Sequence, residues 1–87
     1  MRFDLTDLRL FLAVVDAGSI THGAAAVGLS LAAASERLRD MESLSEVMLL
    51  ERGRRGITTT DAGDRLVHHS RPTLHPPAHT RGELGEH

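Results

Sequence analysis

Residues 19–39 read Ser19-Ile20-Thr21-His22-Gly23-Ala24-Ala25-Ala26-Val27-Gly28-Leu29-Ser30-Leu31-Ala32-Ala33-Ala34-Ser35-Glu36-Arg37-Leu38-Arg39. Ser19 and Ser30 are each good helix N-caps, because a hydroxyl can accept from an amide of the first turn. Between them Gly23 to Ala26 are four small residues in succession, and Gly28 supplies the stop where the chain must reverse. The stretch predicts a helix from Ile20 to Val27, a turn, and another helix from Leu31 to about Ser43. In the latter, Ala34, Leu38, Met41 and Ser45 share one stripe, while Leu31, Ser35 and Arg39, at i, i+4 and i+8, share the opposite one. Small residues let two steeply crossing backbones approach closely, so the pair is expected to form a helix-turn-helix.

Upstream, Thr6 is expected to cap a helix opening at Asp7 and ending at Gly18. Leu8, Phe11, Leu12 and Val15 make one apolar face, and Leu10 and Val14 a second, so this helix should be central and covered by two different elements. Downstream, Val47-Met48-Leu49-Leu50, Glu51-Arg52, Gly53-Arg54-Arg55-Gly56 and Ile57-Thr58-Thr59-Thr60 predict two short strands around an arginine-tipped turn. Thr60 would cap a further helix running to about Arg71, where Pro72 is expected to interrupt it. The ordered set predicts a mainly α, winged helix-turn-helix fold with a three-helix core, a two-stranded wing and the start of a fourth, linker helix. The domain would occupy residues 1–71, with the helix-turn-helix at about 20–39 and the wing at about 47–60. Residues 72–87 hold all three prolines and three of the six histidines, and are expected to form a poorly ordered tail.

Composition bounds the function. The chain has 87 residues, 40% of them apolar, two aromatics, Phe3 and Phe11, and no cysteine. That is room for one small domain, which argues against an enzyme with a buried multi-residue pocket. Ten alanines and thirteen leucines favour close-packed helices. All ten basic side chains are arginine, planar forks suited to phosphate or guanine. The formal charge of −2 runs against a nucleic-acid binder, so positive charge would have to gather in a local patch. Without cysteine there is neither a disulfide nor a thiolate metal site. No apolar run approaches the roughly 18 residues of a membrane span, and Met1 to Asp7 lacks the features of a signal peptide, which makes the cytoplasm the expected compartment. His68 and His69 are adjacent and so point to different sides of a helix, and His75 and His79 are separated by two prolines; neither pair is expected to offer the helical i, i+4 geometry a metal would want, so no metal or other cofactor is expected. No nucleophile elbow accompanies the serines, so no catalysis is expected.

The sequence resembles the N-terminal DNA-binding domain of LysR-type transcriptional regulators from about Leu5 to Arg71. Leu8-Arg9-Leu10-Phe11 is similar to that family's leucine-arginine-x-aromatic opening, and Gly18-Ser19-Ile20-Thr21 to its Gly-Ser-Phe-Thr. Ser30 to Ser35 sits where the family has Ser-Gln-Pro-x-x-Ser. Met41-Glu42 resembles its Leu-Glu pair, Leu49-Leu50-Glu51-Arg52 its Leu-Phe-x-Arg, and Thr60-Asp61-Ala62-Gly63 its Thr-x-Ala-Gly. The chain departs from the pattern at Leu31 and Ala32, which replace glutamine and proline or serine, at Glu36, a position often basic, and at Ser45-Glu46, which replaces Leu-Gly.

The resemblance implies a sequence-specific, DNA-binding transcription regulator whose partner is double-stranded DNA. Ser19 and Thr21 would anchor phosphates, and Ser30, Leu31, Ala32, Ser35 and Arg39 would present the base-reading segment, Leu31 being able to touch only a thymine methyl. Arg54 and Arg55 would hold the flank from the wing tip. It also implies a homodimer on inverted half-sites paired through the linker helix, against which Pro72, Pro76 and Pro77 argue. The effector-binding domain that follows in the family has no counterpart in these 87 residues, so no small-molecule effector is expected here. Two other readings stand beside this one. The −2 charge, Glu36 and the altered recognition segment favour a winged-helix protein-interaction or dimerisation module with weak or lost DNA binding. A truncated or frame-shifted remnant of a longer regulator is the other.

Overall fold

Asp4, and not Thr6, opens the first helix. The computed structural model describes residues 3–74, and in it α1 spans Leu5–Ala17. The Asp4 carboxylate accepts the Asp7 N–H at 2.7 Å, and the Asp7 carboxylate accepts the Asp4 N–H at 3.2 Å. This reciprocal pair satisfies two amides at once, which a single threonine hydroxyl at position 6 cannot do. Gly18, at φ 68°, ends the helix by donating its N–H to the Val14 carbonyl at 2.8 Å. As the two apolar stripes predicted, α1 is central: Leu10, Phe11 and Val14 are fully buried, and the helix packs against each of the other three helices and the wing.

The helix-turn-helix forms as its caps direct. Helix α2 spans Ile20–Ala26 and α3 spans Leu31–Ser45. The Ser19 and Ser30 hydroxyls accept the amides of His22 and Ala33, each at 3.1 Å. Gly23 lies against α1 so closely that a Cβ there would come within 2.6 Å of the Val14 Cα, which is why the α1–α2 crossing needs a residue without a side chain. Gly28 carries the turn at φ 75°. From α3, Ala34, Leu38 and Met41 enter the core beside Leu10, Phe11, Val14 and Ala24. Arg37 lashes the far side of α3 to the start of α1, with 2.8 Å to Asp7 and 3.4 Å to Asp4.

The wing is an antiparallel pair, β1 (Leu50–Gly53) and β2 (Gly56–Thr59), in the register Leu50↔Thr59, Arg52↔Ile57 and Gly53↔Gly56. Arg54 and Arg55 are therefore the two residues of its tip. The expected strand start at Val47 is corrected: Val47 and Met48 are exposed connecting residues, because the Glu42 carboxylate captures the amides of Leu49 at 2.7 Å and Leu50 at 3.0 Å and fixes the backbone before pairing begins. The Ile57 N–H reaches the Gly18 carbonyl at 3.0 Å, tying β2 to the α1–α2 corner.

Thr60 caps α4 (Asp61–Leu74), accepting the Gly63 N–H at 3.1 Å while donating to the Met48 carbonyl at 2.6 Å. The expected break at Pro72 is also corrected, since the proline lies inside the helix. Its fixed φ is itself helical, and a single proline removes one intrahelical bond. One turn of α4 is held to α1 just before it, where Arg71 pairs with Asp16 at 3.0 Å. His75, His79, Pro76, Pro77 and the expected tail lie outside the described residues, apart from its start at 72–74, which is helical.

Candidate nucleic-acid interface

Two shallow grooves meet along α3. The first, of about 350 Å³, lies between the start of α2, the start of α3 and the wing; its walls include Ser19, Thr21, Leu31, Ser35 and Arg52. The second, of about 540 Å³, runs between the middle of α3 and β1 and includes Ser35, Arg39, Glu42, Glu51 and Arg52. Ser35 and Arg52 line both, so the recognition stripe and the wing form one continuous surface.

The positions expected to contact a partner are distributed over this surface unevenly. Ser19, Thr21, Leu31 and Ser35 gather around the first groove, and Arg39 joins Ser35 at the second. Ser30 is spent on capping α3, with its hydroxyl hydrogen still free to donate. Ala32 is exposed on α3 but lines neither groove, and Arg54 and Arg55 project at the hairpin tip. Arg52 is the residue that sequence reasoning left out of the contact set. Its signal was the period-2 alternation of a strand: Leu50 turns into the core, so Arg52 shares its side of the wing and faces α3.

The electrostatics favour an anion on this surface despite the net charge. Among the described residues the ion pairs join Arg37, on the far side of α3, to Asp4 and Asp7 at the start of α1, and Arg71 of α4 to Asp16 of α1. The Asp7 amide, with Arg37 beside it, holds the Asp4 carboxyl below its ordinary value, and these acids raise the Arg37 guanidinium above its own. Asp16 does the same for Arg71. Arg39, Arg52, Arg54 and Arg55 take part in none of those pairs, which leaves four guanidiniums available along α3 and the wing. Asp40 and Glu51 are the exposed acids adjacent in sequence to Arg39 and Arg52, and exposed Glu36 lies one turn before Arg39.

Comparison with known proteins agrees with this geometry. Residues 5–64 match the family model described as bacterial regulatory helix-turn-helix protein, lysR family. The chain is 42% identical over 71 residues to the HTH-type transcriptional regulator AbaB of Streptomyces antibioticus, covering 82% of this chain and 24% of that protein. It is 35% identical over 71 residues to the nitrogen assimilation regulatory protein nac of Klebsiella aerogenes, covering 82% and 23%. The chain thus spans about a quarter of the length of these relatives. Among solved structures, a CbnR DBD–DNA complex superposes with a TM-score of 0.76 at 29% identity, covering 94% of this chain and 93% of that one. A BenM DBD/catB site 1 DNA complex does so with a TM-score of 0.78 at 28% identity, covering 98% and 100%. On the match of its sequence and its winged fold, the chain belongs to the lysR family of bacterial regulatory helix-turn-helix proteins.

Proposed function

We propose that the chain is a sequence-specific DNA-binding domain of a transcription regulator, with double-stranded DNA as its partner and the cytoplasm as its compartment. Helix α3 enters the major groove, and the wing reaches the adjacent minor groove or phosphates. The observation that carries this reading is the shared surface on which Ser35 and Arg39 of α3 stand beside Arg52 of the wing, free of the ion pairs that occupy the other side of the domain. CbnR and BenM DNA-binding domains of the same fold are known bound to DNA, which supports it. Ser19 and Thr21 donate to phosphates from the start of α2, and Arg54 and Arg55 extend the contact along the backbone.

Two copies pair through α4, which places two α3 helices on inverted half-sites. The passage of α4 through Pro72 to Leu74 supports this pairing. Retention on immobilised duplex DNA under a salt gradient tests the reading. Elution at a defined salt concentration, earlier for Arg52→Ala, is expected. Flow-through at low salt contradicts it and favours the protein-interaction module that the −2 charge suggests.

A further inference from the structure

The N-terminal half of the outward face of α3, before Arg39, carries chemistry that suits neither phosphate nor guanine. Ala34, Leu38 and Met41 are buried, and the helical period puts Ala32, Glu36, Arg39 and Ser43 on the opposite side. All four are exposed. Leu31, in the first turn, is 52% exposed and stands apart from the core cluster. Glu36 enters no ion pair among the described residues, although its neighbour Arg37 is held by two acids. An apolar pair at the start of the helix followed by a free carboxylate is therefore what α3 offers to a major groove.

We infer that α3 reads a thymine methyl group through Leu31 and Ala32 and a cytosine amino group through Glu36. The inference rests on the proposed placement of α3 in the major groove. There thymine alone presents a C5 methyl, and the cytosine N4 amino group is a donor that a carboxylate accepts. Guanine presents two acceptors, N7 and O6, which repel a carboxylate, so Glu36 also selects against guanine at its position. Ala32 and Glu36 are four residues apart, a rise of about 6 Å, which corresponds to about two base-pair steps. The wing arginines supply the phosphate attraction that a carboxylate on this face subtracts.

Selection of bound sequences from random duplexes by the full chain, followed by anisotropy titrations on the enriched duplex, tests the assignment. The enriched site should hold a thymine and a cytosine about two steps apart. Replacing that thymine by uracil removes only the methyl and should weaken binding about three- to fivefold, with a smaller loss for Leu31→Ala, which keeps only the Ala32 contact. Glu36→Gln should exchange the preferred cytosine for adenine, the base a glutamine amide pairs with. Uracil tolerated at every thymine overturns the Leu31 and Ala32 assignment, and an unchanged cytosine with Glu36→Gln overturns that of Glu36. The uracil arm alters the DNA alone, so it does not depend on a variant folding. Salt-sensitive binding without enrichment overturns the base reading and leaves DNA binding in place, whereas no binding at all overturns the proposed function as well.

Discussion

Glu46 stands at φ 60° and is the one non-glycine with positive φ among the described residues. It occupies the left-handed C-cap of α3, the place where the family pattern has glycine, so the turn is kept and the side chain that makes it easy is lost. Ser45 helps to hold the turn: its hydroxyl lies 2.9 Å from the Met41 carbonyl and 3.3 Å from that of Val47. Glu46→Gly should stabilise the domain by about 0.5–1 kcal/mol, which thermal denaturation would register as a rise of a few degrees in Tm; an unchanged or lower Tm would show that the left-handed turn is not strained. Asp4 gives a second test. Its carboxyl is held below its ordinary value by the Asp7 amide and Arg37, so it stabilises the fold above that value and loses this contribution as pH falls through the lower, folded-state value. Acidification below about pH 4 should therefore lower the unfolding midpoint. Asp4→Asn keeps a cap acceptor and removes the titration, and its acid limb should be flatter; parallel limbs for the two proteins would contradict the assignment. The effect is small because the group is exposed.

At the scale of elements, the α2–turn–α3 unit was legible because its signals are local. Ser19, Gly28 and Ser30 act within a turn of themselves, and the small residues at 23–26 announce the close crossing that Gly23 makes against Val14. The start of β1 was not legible. It is set by Glu42, whose carboxylate reaches the amides of Leu49 and Leu50 across the α3–β1 turn, and no periodicity records a contact of that kind. Nor was the persistence of α4 through Pro72, which depends on a fixed φ that suits the helix and on the distant pair between Arg71 and Asp16. Arg52 was missed for a related reason: its place depends on which side of β1 faces α3, and the strand began later than the apolar run implied. Glu42→Ala should leave the Leu49 and Leu50 amides without their acceptor and cost about 2 kcal/mol, with faster hydrogen exchange at those two amides than elsewhere in the wing. Exchange unchanged there would mean that the strand pairing alone fixes β1.

For the whole molecule, the question raised by composition was how a chain of formal charge −2 could bind DNA. The structure divides the charge. Asp4, Asp7 and Asp16 are engaged with Arg37 and Arg71 on α1 and its neighbours, while Arg39, Arg52, Arg54 and Arg55 stand along α3 and the wing outside those pairs. A net count does not record this arrangement, in which four guanidiniums outside the ion pairs share α3 and the wing with the exposed carboxylates Glu36, Asp40 and Glu51. The proposed DNA binding rests on that surface, and the salt dependence of duplex affinity measures it. Anisotropy titrations of one labelled duplex at several salt concentrations should show wild-type affinity falling steeply with salt, and Arg54→Ala with Arg55→Ala should weaken binding to every sequence and reduce the slope of log K against log salt by about one for each phosphate contact removed. Binding with the same slope in the double variant, or no duplex binding even at low salt, would contradict it.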